Sequence, residues 1–588
     1  MSRLPLPDPE EISARLRDTR FAQELVGIAQ NVLARRIPLL GYEVKLEGEI
    51  RWRRDPVSRR ETEPVYFRRI PYLDFARAGD HKLIWELNRH QHLVALAQAS
   101  LLSGREDFLH EIWMQLESWL DQNPVSCGIN WASALEVAFR ALSWIWIHHL
   151  AGDRVEPKLA ARWLRSLYHH GCFLERNLSI YFSPNTHLQG EALALHALGI
   201  LFGVRRWRTR GAALMAQMIS EHVHADGGHF EQSSYYHVYA MDMFLFHAVL
   251  EPVDESFREA LRRMARYLWA LAGSGEMPFL GDDDGGRLFY PFGERSGFAR
   301  ATLAACAALL GDTPSHGDAD DLNEIAVWWL GNRAVARPRA QYVSEVFRET
   351  GVAVMNDGNI EVIAAVRAFG RGSAGHSHAH GLHFMLKRAG EAVLIDPGTY
   401  TYVCDPAWRD RFRGTAAHNT IRIDGRDQAD PAGPFRWSNP ARAEILDWQE
   451  RPWRLHARCS YRDLSHERKM IFAESALWVV DEIRGSGRHR IEQFWHPAGP
   501  VERLEGGSVR LSGGFRLVSS HPMEIGQNGE HGWRSPVPGV KHPAPIIRVG
   551  FETELPCRLV AVFDLCEGME ALAVEEDRLS LGGRQIRL

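Results

Sequence analysis

The period at which apolar residues recur changes once along this chain, near Pro338, and that change limits the folds open to it. Before it, apolar residues return every three or four positions in segments covering residues 11–36, 83–102, 108–122, 131–150, 157–178, 188–202, 212–224, 236–250, 256–272, 297–310 and 322–329. That spacing lines one face of a helix, and Gly, Pro, Asp or Asn stand at the breaks. A loop rich in Arg, Pro and aromatic residues, 51–72, separates the first segment from the rest. About eleven helices are predicted, with hardly a strand among them. Several are apolar on more than one face, as in Ala141-Leu142-Ser143-Trp144-Ile145-Trp146-Ile147, which suits an inner layer. Helical hairpins wound into a toroid and a large bundle both satisfy the pattern.

Beyond Pro338 the apolar segments become short: 360–368, 382–386, 392–395, 420–423, 455–459, 477–480 and 559–563. They are rich in Val, Ile and Phe and are parted by turns such as Asp424-Gly425 and Arg484-Gly485-Ser486-Gly487. This predicts an antiparallel β-sandwich of about a dozen strands. The expected class is multidomain α+β, with a helical domain over residues 1–338 and a sandwich over 339–588. A chain of 588 residues is long enough to bury a core in each.

A formal net charge of -5 provides no global positive field, so nucleic acid is not an expected partner and any anionic ligand must be met by local arginines. The seven cysteines are scattered without CxxC spacing and are expected to be thiols. The N-terminal residues lack the apolar core of a signal peptide, and the longest apolar run, 192–204, is too short to cross a bilayer. The expectation is a protein without membrane insertion, cytoplasmic as numbered, or periplasmic or secreted if the N-terminus is processed.

The densest chemistry lies in Gly375-His376-Ser377-His378-Ala379-His380-Gly381-Leu382-His383, followed by Asp396-Pro397-Gly398 and Ala417-His418-Asn419-Thr420. If the first stretch is extended, His376, His378 and His380 share one face and His383 the other. Imidazole serves both proton transfer near neutral pH and metal ligation, and burying several without partners is costly, so a functional cluster is expected. In the helical half, Ser183-Pro184-Asn185-Thr186-His187-Leu188-Gln189-Gly190-Glu191 reads as a helix start with its cap at Asn185 or Thr186. The stretch 226–237 leads from a glycine turn into a helix crowded with polar groups and ends in Tyr235-Tyr236-His237. Asp282-Asp283-Asp284 lacks the spacing of a calcium loop and reads as a structural loop or the rim of a substrate site. Arg409, Arg411 and Arg413, at alternate positions, offer planar forks to carboxylate or sulfate.

These motifs, with Trp85-Glu86-Leu87-Asn88-Arg89 and Asn130-Trp131-Ala132-Ser133-Ala134-Leu135-Glu136, occur in an order that resembles the heparinase II/III-like polysaccharide lyases. The resemblance spans nearly the whole chain and implies an N-terminal (α/α) toroid followed by an antiparallel β-sandwich. It implies β-elimination on a uronic-acid-containing acidic polysaccharide, with Asn185 on the carboxylate, Tyr236 as acid or base (Tyr235 being its rival) and His376 as its partner. His187, Glu191, His237, Arg409 and Arg413 are expected to contact substrate. The resemblance further implies a structural divalent metal, commonly zinc, held by His378, Asp396 and His418. His380 departs from the usual pattern, in which Asp is more frequent, and reads as an outer contact or as packing. Two other readings are a weak or silent member that binds polysaccharide during exopolysaccharide assembly, and a glycoside hydrolase built on two carboxylates. The second would leave the histidine motifs idle.

Overall fold

A computed structural model describes residues 3–181, 183–527, 529, 531–566 and 571–587. The chain divides into two compact units. One holds the residues up to Val223 together with Val238–Arg266 and Gly285–Ala340; the other holds His224–His237, Tyr267–Asp284 and the residues from Gln341 onward. Two short stretches of the helical half therefore group with the strands, and they carry Tyr236 and Asp282.

In the first unit, helices Gln91–Ser103, Ala134–Ala151 and Thr186–Phe202 pack on one another in succession. Nearly every residue of the three is buried, polar ones included. Helices Asp107–Gln122, Pro157–Asn177 and Arg205–His222 pack against them from outside and bury one side each. This inner and outer alternation is why the sequence mixes helices that are apolar all round with amphipathic ones. Two predicted segments are each two helices. Residues 11–36 contain Pro9–Leu16 and Arg20–Leu33, parted where Thr19 caps the second. Residues 83–102 contain His81–Asn88 and Gln91–Ser103, parted at His90, whose φ of 59° is left-handed. A small hairpin, Arg36–Leu39 with Tyr42–Lys45, was not anticipated.

The second unit is built on antiparallel sheets. The largest has eight strands in the order Arg442–Gln449, Trp453–Tyr461, Leu464–Ala473, Ala476–Arg484, Cys557–Asp564, Arg516–Ser519, Val509–Arg510 and Glu502–Arg503. A five-stranded sheet runs Glu345–Phe347, Val352–Asn356, Ile360–Ala365, His383–Arg388, Glu391–Leu394. A four-stranded one runs Glu524–Gln527, Pro545–Glu554, Arg488–Trp495, Ile421–Ile423. One core draws Val362, Phe384, Leu386, Ile421, Ile491, Trp495, Leu477, Leu559 and Phe563 from all three. The five-stranded sheet is covered on its other face too, where Phe347, Val354, Ile363 and Met385 meet Tyr267, Ala270, Leu271 and Leu280. Burial on both faces removes the alternation: Ile360–Ala365 is buried at every position, whereas Trp453–Tyr461 alternates strictly. All seven cysteines are free thiols. Among the described residues no helix is long and apolar enough to cross a membrane.

Candidate active site and metal centre

The histidine-rich stretch is not a strand. Residues 374–382 run as turns, with Ala374 and Leu382 at positive φ, and the strand begins at His383. The expected two-faced arrangement therefore fails: a left-handed residue between His380 and His383 reverses the alternation. His378, His380 and His383 all approach His418, with ring centroids 5.3, 5.3 and 5.5 Å away. His376 points elsewhere.

One possible ligand atom from each of His378, His380, Asp396 and His418 lies within 4.8 Å of the others, and all four residues are buried. His380 thus joins the three expected residues. Backbone contacts and a carboxylate set the orientations. His418 Nδ1 lies 2.8 Å from the Gly414 carbonyl, which leaves Nε2 facing inward, 3.2 Å from His378 Nδ1 and 3.4 Å from Asp396 Oδ2. His378 Nε2 lies 3.0 Å from Asp282 Oδ1, so its Nδ1 is the inward atom. Asp396 Oδ1 accepts from the Gly398 amide at 2.9 Å. His383 belongs to the outer ring, because its Nδ1 accepts from the Asn419 amide at 2.9 Å and its Nε2 sits 3.7 Å from Asp396 Oδ2. Asn419 also donates to the carbonyls of Phe384 and Ile395, and Thr420 to that of Gly381, so the Ala417–Thr420 motif stitches its loop to the strand edge.

A divalent cation fits this set. His380 Nδ1 and Asp396 Oδ2 are buried without a hydrogen-bond partner, which is costly unless an ion satisfies them. Burial pushes the Asp396 carboxyl up to about 8 and His380 down to about 3. Left alone, the acid and the imidazoles all prefer to be neutral; a cation at their centre makes the ionised carboxylate the favoured form. Were all four residues to ligate, no position would be left open, as in structural sites.

The second centre adjoins the first through Asp282. His376 Nδ1 lies 3.2 Å from Asp282 Oδ2, and its Nε2 lies 3.6 Å from Glu231 Oε1. The Tyr236 ring stacks on the His376 imidazole, centroids 3.8 Å apart at 20°, and its hydroxyl is 3.3 Å from that of Tyr402. It is therefore Tyr236 that lies against His376. Burial, then the Asp284 carboxylate and Tyr402, push the Tyr236 phenol well above the ordinary tyrosine range. Asp282 is fully buried, and burial alone would raise its carboxyl. The Arg409 guanidinium and the two imidazoles outweigh that and hold it well below the usual carboxylate range. The acidic run, expected to be a structural loop or rim, thus supplies the central carboxylate of this unit. Neither Asp282 nor Tyr402 stood among the expected site residues. The only signals were three acids after a glycine and a second tyrosine two positions past Tyr400.

The arginines are spaced for a helix, Pro406–Arg413, and not for alternation. Arg409 and Arg413 share its buried face. Arg409 pairs with Asp282 and donates to the carbonyls of Pro434 and Gly375; Arg413 pairs with Asp410 and donates to Gly433 and Pro434. Both forks are engaged within the unit. Arg411 lies over the Trp408 ring. His237 is fully buried, its ring 5.0 Å from Tyr267.

In the helical unit, Asn185 caps helix Thr186–Phe202, its side-chain oxygen accepting from the His187 amide at 3.0 Å. Glu191, one turn further on, is buried and accepts from the Ser179 amide and hydroxyl at 2.7 and 2.6 Å. Burial pushes its carboxyl up to about 8 against those bonds.

The description "Heparinase II/III N-terminus" matches residues 27–261 and "Heparinase II/III-like, C-terminal" matches residues 340–562, together well over half the chain. The heparin-sulfate lyase of Bacteroides stercoris is 21% identical over 463 residues, 72% of this chain and 65% of that protein. The chain thus spans just under two thirds of this curated relative. A solved heparinase III superposes with a TM-score of 0.77 at 16% identity, covering 100% of this chain and 93% of the other. A chondroitin AC lyase of Streptomyces coelicolor gives 0.56 at 11% identity, with 95% and 83% covered. The fold is that of these proteins, a helical toroid followed by an antiparallel β-sandwich.

Proposed function

Because the chain belongs to the heparinase II/III-like family, we propose that it is a polysaccharide lyase that cleaves a uronic-acid-containing polysaccharide by β-elimination. The observation that carries this reading is the pair of proton-transfer groups in one buried constellation, Tyr236 stacked on His376. Elimination at a uronate needs a base for the proton on C5, a donor for the departing O4 and a neutralising partner for the carboxylate. His376 Nε2 takes the C5 proton. The electron pair forms the C4=C5 bond, the C4–O4 bond breaks, and the Tyr236 phenol gives its proton to O4. The phenol suits the donor role because its surroundings hold it neutral far above physiological pH. By the motif resemblance alone, Asn185 is the candidate for the group that neutralises the carboxylate. Of the expected contacts, His187 is only partly buried and is kept as the candidate for substrate contact, whereas Glu191 and His237 are enclosed in the fold.

The substrate class follows the relatives, which are named heparin-sulfate lyases, so glycosaminoglycans come first and bacterial exopolysaccharides second. Three imidazoles and a carboxylate suit zinc as the ion. When bound it supplies a fixed positive charge that organises the loop 374–382. The proton steps belong to His376 and Tyr236.

A panel of heparan sulfate, heparin, chondroitin sulfate, hyaluronan and alginate, followed by near-ultraviolet absorbance, tests the reading. A rise with any polymer establishes elimination, because hydrolysis creates no conjugated double bond. New reducing ends without absorbance would replace the lyase reading by hydrolysis.

A further inference from the structure

The carboxylate of Asp282 accepts from two imidazoles with different tasks. Its Oδ1 is 3.0 Å from His378 Nε2, and His378 turns its other nitrogen to the metal cluster. Its Oδ2 is 3.2 Å from His376 Nδ1, whose other nitrogen belongs to the proposed chemistry. Arg409 spans both oxygens, with Nη2 2.7 Å from Oδ2, and is itself anchored on the Pro434 and Gly375 carbonyls. The backbone is tied as tightly. The Asp282 amide donates to the His376 carbonyl at 2.8 Å, and Ser233 Oγ donates to the Asp282 carbonyl at 2.6 Å. Gly281 permits this approach: its φ is 71°, and a Cβ there would come within 2.7 Å of the Gln232 and His376 carbonyl oxygens.

We infer that Asp282, held by Arg409, is a positioning residue that couples the metal centre to the reacting histidine, through one carboxylate that orients His378 for the ion and His376 for proton abstraction. The geometry leaves little latitude. A carboxylate accepting on both oxygens from ring N–H groups selects the tautomer of each ring: Nδ1 free to ligate on His378, Nε2 free to act as base on His376. Ordering the ion's ligand then restricts Asp282, and with it the plane of the His376 ring. The inference rests on the lyase reading for what His376 does, and on the metal cluster for what His378 does; the carboxylate link between them is the new element.

The test compares wild type, Asp282→Asn, His376→Ala and the double variant, all full-length. Zinc affinity is measured by competition with a chromogenic chelator, and kcat and KM are measured at saturating zinc on whichever uronate polymer the wild type cleaves. Asp282→Asn is expected to weaken zinc binding about 10- to 100-fold. With zinc saturating, its kcat should still fall about 10- to 100-fold, with KM changed less than about two-fold. His376→Ala should lower kcat and leave zinc affinity intact. In its background Asp282→Asn should cost no further turnover yet still weaken zinc.

Full recovery of kcat by excess zinc, or unchanged zinc affinity in Asp282→Asn, would overturn the coupling. A wild type inert on every polymer would instead count against the lyase reading. The coupling is then decided by zinc affinity together with denaturant midpoints. Non-additive midpoints for Asp282→Asn and His376→Ala sustain it, and additive ones overturn it.

Discussion

At the scale of single residues, Tyr236, His376 and Glu191 carry the sharpest expectations. Tyr236→Phe keeps the ring stacked on His376 and removes the hydroxyl with its proton and its contact to Tyr402, so turnover should fall about 100-fold or more while the unfolding midpoint moves little. His376→Ala should do the same to turnover; either variant retaining wild-type kcat in the absorbance assay would end the assignment. Glu191 offers a pH test. Its carboxyl is raised by burial to about 8, above the ordinary value, so folding is disfavoured increasingly as pH rises from below 5 through 8. Below the unfolded-state pKa the penalty is absent. Glu191→Gln keeps an acceptor for Ser179 and removes the ionisation. The wild type should therefore lose stability relative to Glu191→Gln between pH 5 and about 8, and urea unfolding at a series of pH values reads the difference. A constant gap across that window would mean that Glu191 stays ionised.

At the scale of elements, the loops that carry the cluster are braced by the eight-stranded sheet. Arg468, on strand Leu464–Ala473, pairs with Asp481 on the neighbouring strand Ala476–Arg484 at 2.7 and 2.9 Å. It also donates to the carbonyls of Leu382 and Asn419 at 2.6 and 2.8 Å, the residues next to His383 and His418. Gln493 and His466 fill the rest of the Asp481 carboxylate. Together these contacts hold that carboxyl below the usual range despite its burial. Removing one partner leaves a buried charge uncompensated. Arg468→Met should therefore cost about 3–5 kcal/mol of unfolding free energy, measured by denaturant titration. It should also weaken zinc binding, since two loops of the cluster lose their anchor. A loss below about 1 kcal/mol would show that solvent or a rearranged Gln493 takes over.

At the scale of the whole molecule, the cluster of His378, His380, Asp396 and His418 could hold a metal ion, and a bound ion is expected to stabilise the fold. Chelation should lower the thermal midpoint by several degrees, and zinc should restore it, because an ion that binds only the folded chain adds its binding free energy to folding. His378→Ala should lower metal content and midpoint together. His380→Ala should do likewise if the fourth imidazole ligates as its position indicates. Retention of full metal affinity by that variant would return His380 to the outer ring.

Much of this was legible without coordinates. The change of period near Pro338 separates helices from strands because a helix and a strand bury different spacings of side chain. The grouping of Tyr236 with His376, and of His378 with Asp396 and His418, was expected from the motifs too, because chemistry needs particular side chains and those are written in the sequence. Spacing was a poor guide to where they point. One left-handed residue, Leu382, undid the expected alternation of the histidines, and a helix at Pro406–Arg413 buried Arg409 and Arg413, which had been expected to meet substrate. Asp282 is the plainest case. Nothing local distinguishes it from Asp283 or Asp284. It becomes central only because the fold brings a segment 94 residues from His376 and 127 from Arg409 against both. Hydrogen bonds and charge pairing depend on distance in space, which local periodicity does not encode; the residue types were set by sequence, and their partnerships by tertiary structure alone.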